Sequence, residues 1–106
     1  MRKYTSDESG STALGQAGSI FHDTGASAIS APTGQAFVAI TIISDTKFDA
    51  LAVESGFNGC GATASTIGGD VINTGGSGTE FPAGITIYGR WSSVDVNAGA
   101  IIAYVG

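Results

Sequence analysis

The chain of 106 residues is poor in the groups on which chemistry is usually built: one cysteine, one histidine, two prolines and 12 % charged side chains. Cys60 stands alone in Asn58-Gly59-Cys60-Gly61, which excludes an intrachain disulfide and a cysteine-rich metal site and leaves the role of a small loop or core thiol. Soluble domains carry about 25 % charged residues. A surface with half that density loses little on desolvation and suits a permanent contact. No apolar run approaches the ~20 residues of a membrane span, and the opening Met-Arg-Lys-Tyr-Thr-Ser-Asp-Glu-Ser leads into no apolar signal core. Neither a membrane nor signal-peptide secretion is expected.

Basic residues are scarcer still. Nine acids stand against Arg2, Lys3, Lys47 and Arg90, for a net charge of -5. Such a body repels a phosphate backbone, so direct nucleic-acid binding is not expected. His22 adjoins Asp23 and Thr24, but neighbours on a strand point to opposite faces and no nucleophile-elbow pattern is present. A structural or solvent-facing histidine follows. Asp45 and Asp49 would share a face on a helical turn, while Asp70, Glu80 and Asp95 lack the spacing of a calcium loop. Gly68-Gly69-Asp70 and Gly75-Gly76-Ser77-Gly78 are not followed by Gly-Lys-Ser or Gly-Lys-Thr, so they read as connections between strands rather than phosphate loops. The inventory predicts no catalytic residue, no cofactor and no metal: not an enzyme.

What is present is β-structure. Seventeen glycines, short alternating runs and no 12-residue amphipathic helix predict an all-β fold, a compact antiparallel sandwich or jelly-roll-like barrel of about 6–8 strands. Residues 1–12 carry one large apolar group, Tyr4, and no periodicity. They form an expected flexible N-terminal arm, extended from a single β-rich domain over 13–106. Within that domain a short strand is centred on Ser19 to His22, and Pro32 makes 26–34 a loop. Gln35 to Ser44 reads as a central strand covered on both faces, with Phe37, Ala39, Thr41 and Ile43 on one and Val38, Ile40 and Ile42 on the other. Residues 45–53 fit either a capped helical turn or a turn and edge strand. Asn58-Gly59 signals a turn, 70–73 a minimal strand, and 74–79 an exposed, tolerant loop. At the carboxyl end, Ile85, Ile87, Gly89 and Trp91 alternate with Thr86, Tyr88 and Arg90, and Asn97-Ala98-Gly99 is expected to turn the chain into a last strand, Ala100 to Val105.

Several phrases carry a resemblance: Phe37-Val38-Ala39-Ile40, Asp45-Thr46-Lys47-Phe48, Phe81-Pro82-Ala83-Gly84-Ile85-Thr86-Ile87-Tyr88-Gly89, and Ser92 through Tyr104. In these, about half of it, the chain resembles small virion proteins of tailed bacteriophages, head-decoration or cement proteins among them. The resemblance implies a non-enzymatic structural subunit on the outer surface of the capsid, a homo-oligomer with the trimer favoured, that bridges major capsid proteins while its arm crosses a seam. Arg2, Lys3 and Tyr4 are then the arm's contact residues, and Arg90 and Trp91 the body's interface or core-corner pair. A buried Arg90 would face an acid such as Asp95 or a partner carboxylate; an exposed, unpaired Arg90 is the alternative. The competing function is a tail or fibre-associated accessory domain that binds a host glycan in a groove lined by Tyr88, Trp91 or Tyr104.

Overall fold

The computed structural model describes residues 18–25, 27–57, 59–62 and 70–106. The arm expected at 1–12, with Arg2, Lys3 and Tyr4, lies outside them. The described chain is all-β and antiparallel: β1 (Ser19–Asp23), β2 (Ile29–Ser30), β3 (Phe37–Val53), β4 (Glu80–Phe81) and β5 (Thr86–Val105). They form one sheet in the order β1-β5-β3-β4, with β2 also on β5. No helix among them is long and apolar enough to cross a membrane.

Two strands build most of this sheet. Partners on β5 descend as β3 ascends, Ile40 with Ala103, Ile42 with Ile101, Phe48 with Val96 and Leu51 with Val94, so the two run antiparallel along their whole shared length. The start of β5 also lies along the other side of β3, pairing Thr41 with Thr86 and Ile40 with Ile87. β4 continues that edge by pairing Phe81 with Thr46 and Glu80 with Lys47. Between them, Gly84 N–H donates to Ile42 O and Ile42 N–H to Ile85 O, both at 2.8 Å. One chain segment thus flanks β3 on one side and then, past Trp91, on the other. It can do so because β3 coils until both its ends, Phe37 and Val53, reach Trp91. This covers the second edge of β3 along its first half, while β1 and β4 stand at the two ends of the sheet.

The core fills the inside of that coil. Phe37, Ile40, Ile42, Phe48, Leu51, Trp91, Val94, Val96, Ile101, Ala103 and Val105 are buried together, with Ile72 closing one end. Full burial of each large side chain contributes about 1.5–3 kcal/mol. Phe48 meets Phe81 edge to face, with ring centroids 5.2 Å apart.

Several sequence expectations need correction. Residues 45–53 are strand and not helix, continuous with β3: they pair with β5 along their length and on the other side with β4 only at Thr46 and Lys47. Residues 97–99 make no hairpin, since β5 runs unbroken from Thr86 to Val105. Gly99 instead takes φ +94° in an irregularity of the ladder, where an added Cβ would meet Asp45 O and Thr46 Oγ1. Residues 70–73 are not a strand, and the 26–34 loop contains β2. The register slips between Phe37 and Ala39, so Phe37 joins Ile40 and Ile42 in the core while Ala39 and Thr41 face outward. Slips of one residue reverse the faces of a strand. The outer face is left partly open, with Ile43 47 % exposed. The 74–79 loop is exposed at Gly76, Ser77 and Thr79, but Gly78 packs on the Asn73 carbonyl and leaves no room for a side chain.

Candidate functional site

His22 is inside the protein, 1 % exposed. β1 pairs with β5 as far as Asp23 with Ala100, and β2 resumes at Ile29 with Val94. Ser92 O points toward the β2 side, where it accepts Ala31 N–H at 2.9 Å, so Val96 N–H, four residues on in the pleat, points the same way into the gap. His22 Nε2 accepts that hydrogen bond at 3.3 Å. The same nitrogen lies 3.4 Å from Asp95 Oδ1, a contact that requires Nε2 to carry a proton and therefore excludes the first. Val96 is buried, where an unpaired amide is costly, whereas the Asp95 carboxylate is partly exposed to water. We therefore assign the Nδ1–H tautomer. Nδ1 itself is buried without a hydrogen-bond partner, so neither ring nitrogen touches a hydroxyl or thiol among the described residues. The imidazole does the work of a missing strand residue.

Two carboxylates near the β3–β5 ribbon likewise have structural partners, one a backbone amide and one a side-chain amide. Asp45 Oδ1 accepts Ala83 N–H at 2.9 Å, fixing the bend at Pro82-Ala83-Gly84, and Asp49 Oδ1 accepts from Asn97 Nδ2 at 3.1 Å. Among the described residues no three of His, Cys, Asp and Glu gather as a metal would need.

Arg90 and Trp91, adjacent in sequence, have different fates. Trp91 is in the core at 1 % exposure, and its Nε1 donates to Cys60 O at 2.7 Å, so it is a closing residue of the coil and lines no groove. Arg90 is half-buried, pairs with Glu54 rather than Asp95 (Nε to Oε2 2.8 Å), and sits over the Phe57 ring, 4.9 Å from its centroid. Phe57 is itself 52 % exposed. This corner presents an aromatic ring and a guanidinium together, a combination enriched at protein interfaces.

A second surface lies on the outside of the sheet. In one cross-strand row Ala39 is flanked by Tyr88 and Tyr104, and in the next Thr41 is flanked by Thr86 and Ile102, with Phe21 beyond Ile102. None of these seven side chains is charged at neutral pH. Phe21 and Tyr88 are strongly exposed. Ala39, Thr41, Thr86, Tyr88 and Tyr104 line an open depression of about 290 Å³. Thr41 Oγ1 lies 3.0 Å from Thr86 Oγ1 and donates toward Tyr104 OH at 3.4 Å. Sequence reasoning named Tyr88 and Tyr104 but missed Thr41, Thr86 and Phe21. The period-2 alternation of Thr86 with Tyr88 was the available signal; the pairing of four strand segments across one face was not.

No protein-family model, curated protein or solved structure matches the chain.

Proposed function

We propose that this chain is a non-enzymatic structural subunit of a tailed-phage virion, which sits on the outer surface of the capsid and stabilises it by bridging major capsid proteins. The supporting observation is the character of the described surface. Phe57 stands exposed beneath the Arg90 guanidinium, 4.9 Å from its ring centroid, and Val71 is exposed as well. Such groups are suited to burial against neighbours. The resemblance of 37–40, 45–48, 81–89 and 92–104 to decoration proteins supports the same reading.

In this reading the Arg90–Phe57 corner takes the contact role first given to Arg90 and Trp91, and the N-terminal residues Arg2, Lys3 and Tyr4 extend the contact across a seam. The subunit acts as a homo-oligomer, the trimer favoured. Its mechanism is mass action: a ligand that binds the expanded shell and not its precursor stabilises that shell by RT ln(1 + [L]/Kd) at every site, and repetition over many sites multiplies the effect. Co-sedimentation with expanded capsid shells tests it. Full-length protein is expected to saturate the shells and raise their disruption temperature, and the chain lacking residues 1–12 to do so with lower occupancy. Unchanged occupancy and unchanged shell stability on removal of the arm would contradict the arm's role, and no binding by the full chain would contradict the whole reading.

A further inference from the structure

We propose that the depression between Tyr88 and Tyr104 is a binding site for a neutral saccharide, stacked on Tyr88 and hydrogen-bonded to the hydroxyl chain of Thr86, Thr41 and Tyr104. This inference does not rest on the capsid reading and survives its failure.

The chemistry of the lining selects the ligand. Ala39 has a single methyl as side chain and is 3 % exposed, so it forms the floor while the two flanking tyrosines rise as walls. Tyr88, 66 % exposed, offers a ring that water covers poorly and that a C–H-rich pyranose face covers well. Three hydroxyls stand within reach of one another. Each has one proton, so when Thr86 donates to Thr41 and Thr41 to Tyr104, one O–H is left over at Tyr104 with free acceptor positions along the chain. A directed donor beside several acceptors matches the vicinal hydroxyls of a sugar. The five lining residues carry no ionisable group other than the phenols, so nothing there compensates the charge of a phosphate, sulfate or carboxylate, and burial of a charged ligand would be penalised. A purely apolar ligand would leave the hydroxyl chain facing a surface that cannot bond it. The depression's size, about 290 Å³, suits one or two sugar rings.

An open site with one stacking platform binds weakly, with a Kd on the order of 1 mM. Saturation-transfer NMR with methyl glycosides of glucose, galactose and mannose, and with sialic acid as the anionic comparison, reads it directly. The expected result is saturation of the C–H protons on one face of at least one neutral pyranoside and none of sialic acid. Tyr88→Ala, a change at an exposed position that leaves the core intact, is expected to weaken binding by at least tenfold. Tyr88→Phe is expected to retain it within about threefold, and Thr41→Val to lose several-fold. Absence of transfer from every neutral sugar at tens of millimolar with folded protein overturns the proposal. So does equal transfer in Tyr88→Ala, preference for the anionic sugar, or self-association through this face that sugar does not disturb.

Discussion

His22 shows how a chain with one imidazole can use it for structure. Its Nε2 receives the Val96 amide where β1 has ended and β2 has not begun, so replacement by Phe keeps the volume and removes the acceptor. His22→Phe leaves the Val96 amide unpaired but also removes the unpartnered Nδ1–H, so the loss of unfolding free energy is expected to stay within about 1 kcal/mol. Urea titration measures that loss, and nitrogen-15 NMR of the neutral wild-type imidazole should place the proton on Nδ1. A proton on Nε2 would mean that Asp95, not Val96, holds the ring. Arg90 contrasts with it. Arg90→Ala removes the Glu54 pair and the cover over Phe57, but both charged groups are partly exposed, and the loss should stay within about 1 kcal/mol. Should the same substitution weaken shell binding far more than stability, the corner's contact role is supported. The identity of these partners was not legible in the sequence. Glu54 is 36 positions from Arg90, and Val96 is 74 from His22; such pairings emerge only once the register is set.

At the scale of elements, irregularities decide the shape. Gly99 has φ +94°, and a Cβ added there would meet Asp45 O and the buried Thr46, whose Oγ1 donates to Ser44 O at 2.7 Å. Gly34 has φ +80° with open space around it. Both should resist substitution by Ala because of the left-handed backbone, by about 1 kcal/mol. Gly99→Ala should lose about 2 kcal/mol more, from the steric conflict with the neighbouring strand. Parallel denaturation of the two variants separates strain from crowding, and equal losses would show that the approach of Gly99 to β3 is not tight. The half of β3 from Phe37 to Ile43 was legible because apolar residues follow one another in a run too β-branched for anything else. The half from Asp45 to Val53 was not, because Asp45, Lys47 and Asp49 interrupt the pattern where the strand reaches β4 and Asn97. Asn97-Ala98-Gly99 carries the residues of a hairpin turn and makes an irregular strand instead. Composition marks where a backbone departs from regularity, but not whether it reverses.

At the scale of the molecule, closure depends on Trp91. It pairs with both ends of β3, fills the core between them and anchors the 60–62 segment through Cys60 O. Trp91→Ala is expected to lose about 3–5 kcal/mol, a large share of the stability of a domain this small, visible as a fall in melting temperature of well over ten degrees. Its place inside the coil also explains why the sequence suggested an interface: an apolar ring beside an arginine looks the same whether the neighbour is another subunit or the chain's own strand. The all-β, antiparallel character was readable from glycine content and alternation. The coil that makes one sheet its own partner was not, since it arises from summed slips of register along β3. Five strands among the described residues, two of them long and bent, do the work of the six to eight shorter ones expected. The central claim concerns what this body is for, and electron cryomicroscopy of intact particles containing the protein tests it most directly. Density for the β-body on the outer capsid surface, seated between major capsid proteins at repeated positions, is the predicted result; density confined to the tail or fibres, or none on the particle, would contradict it.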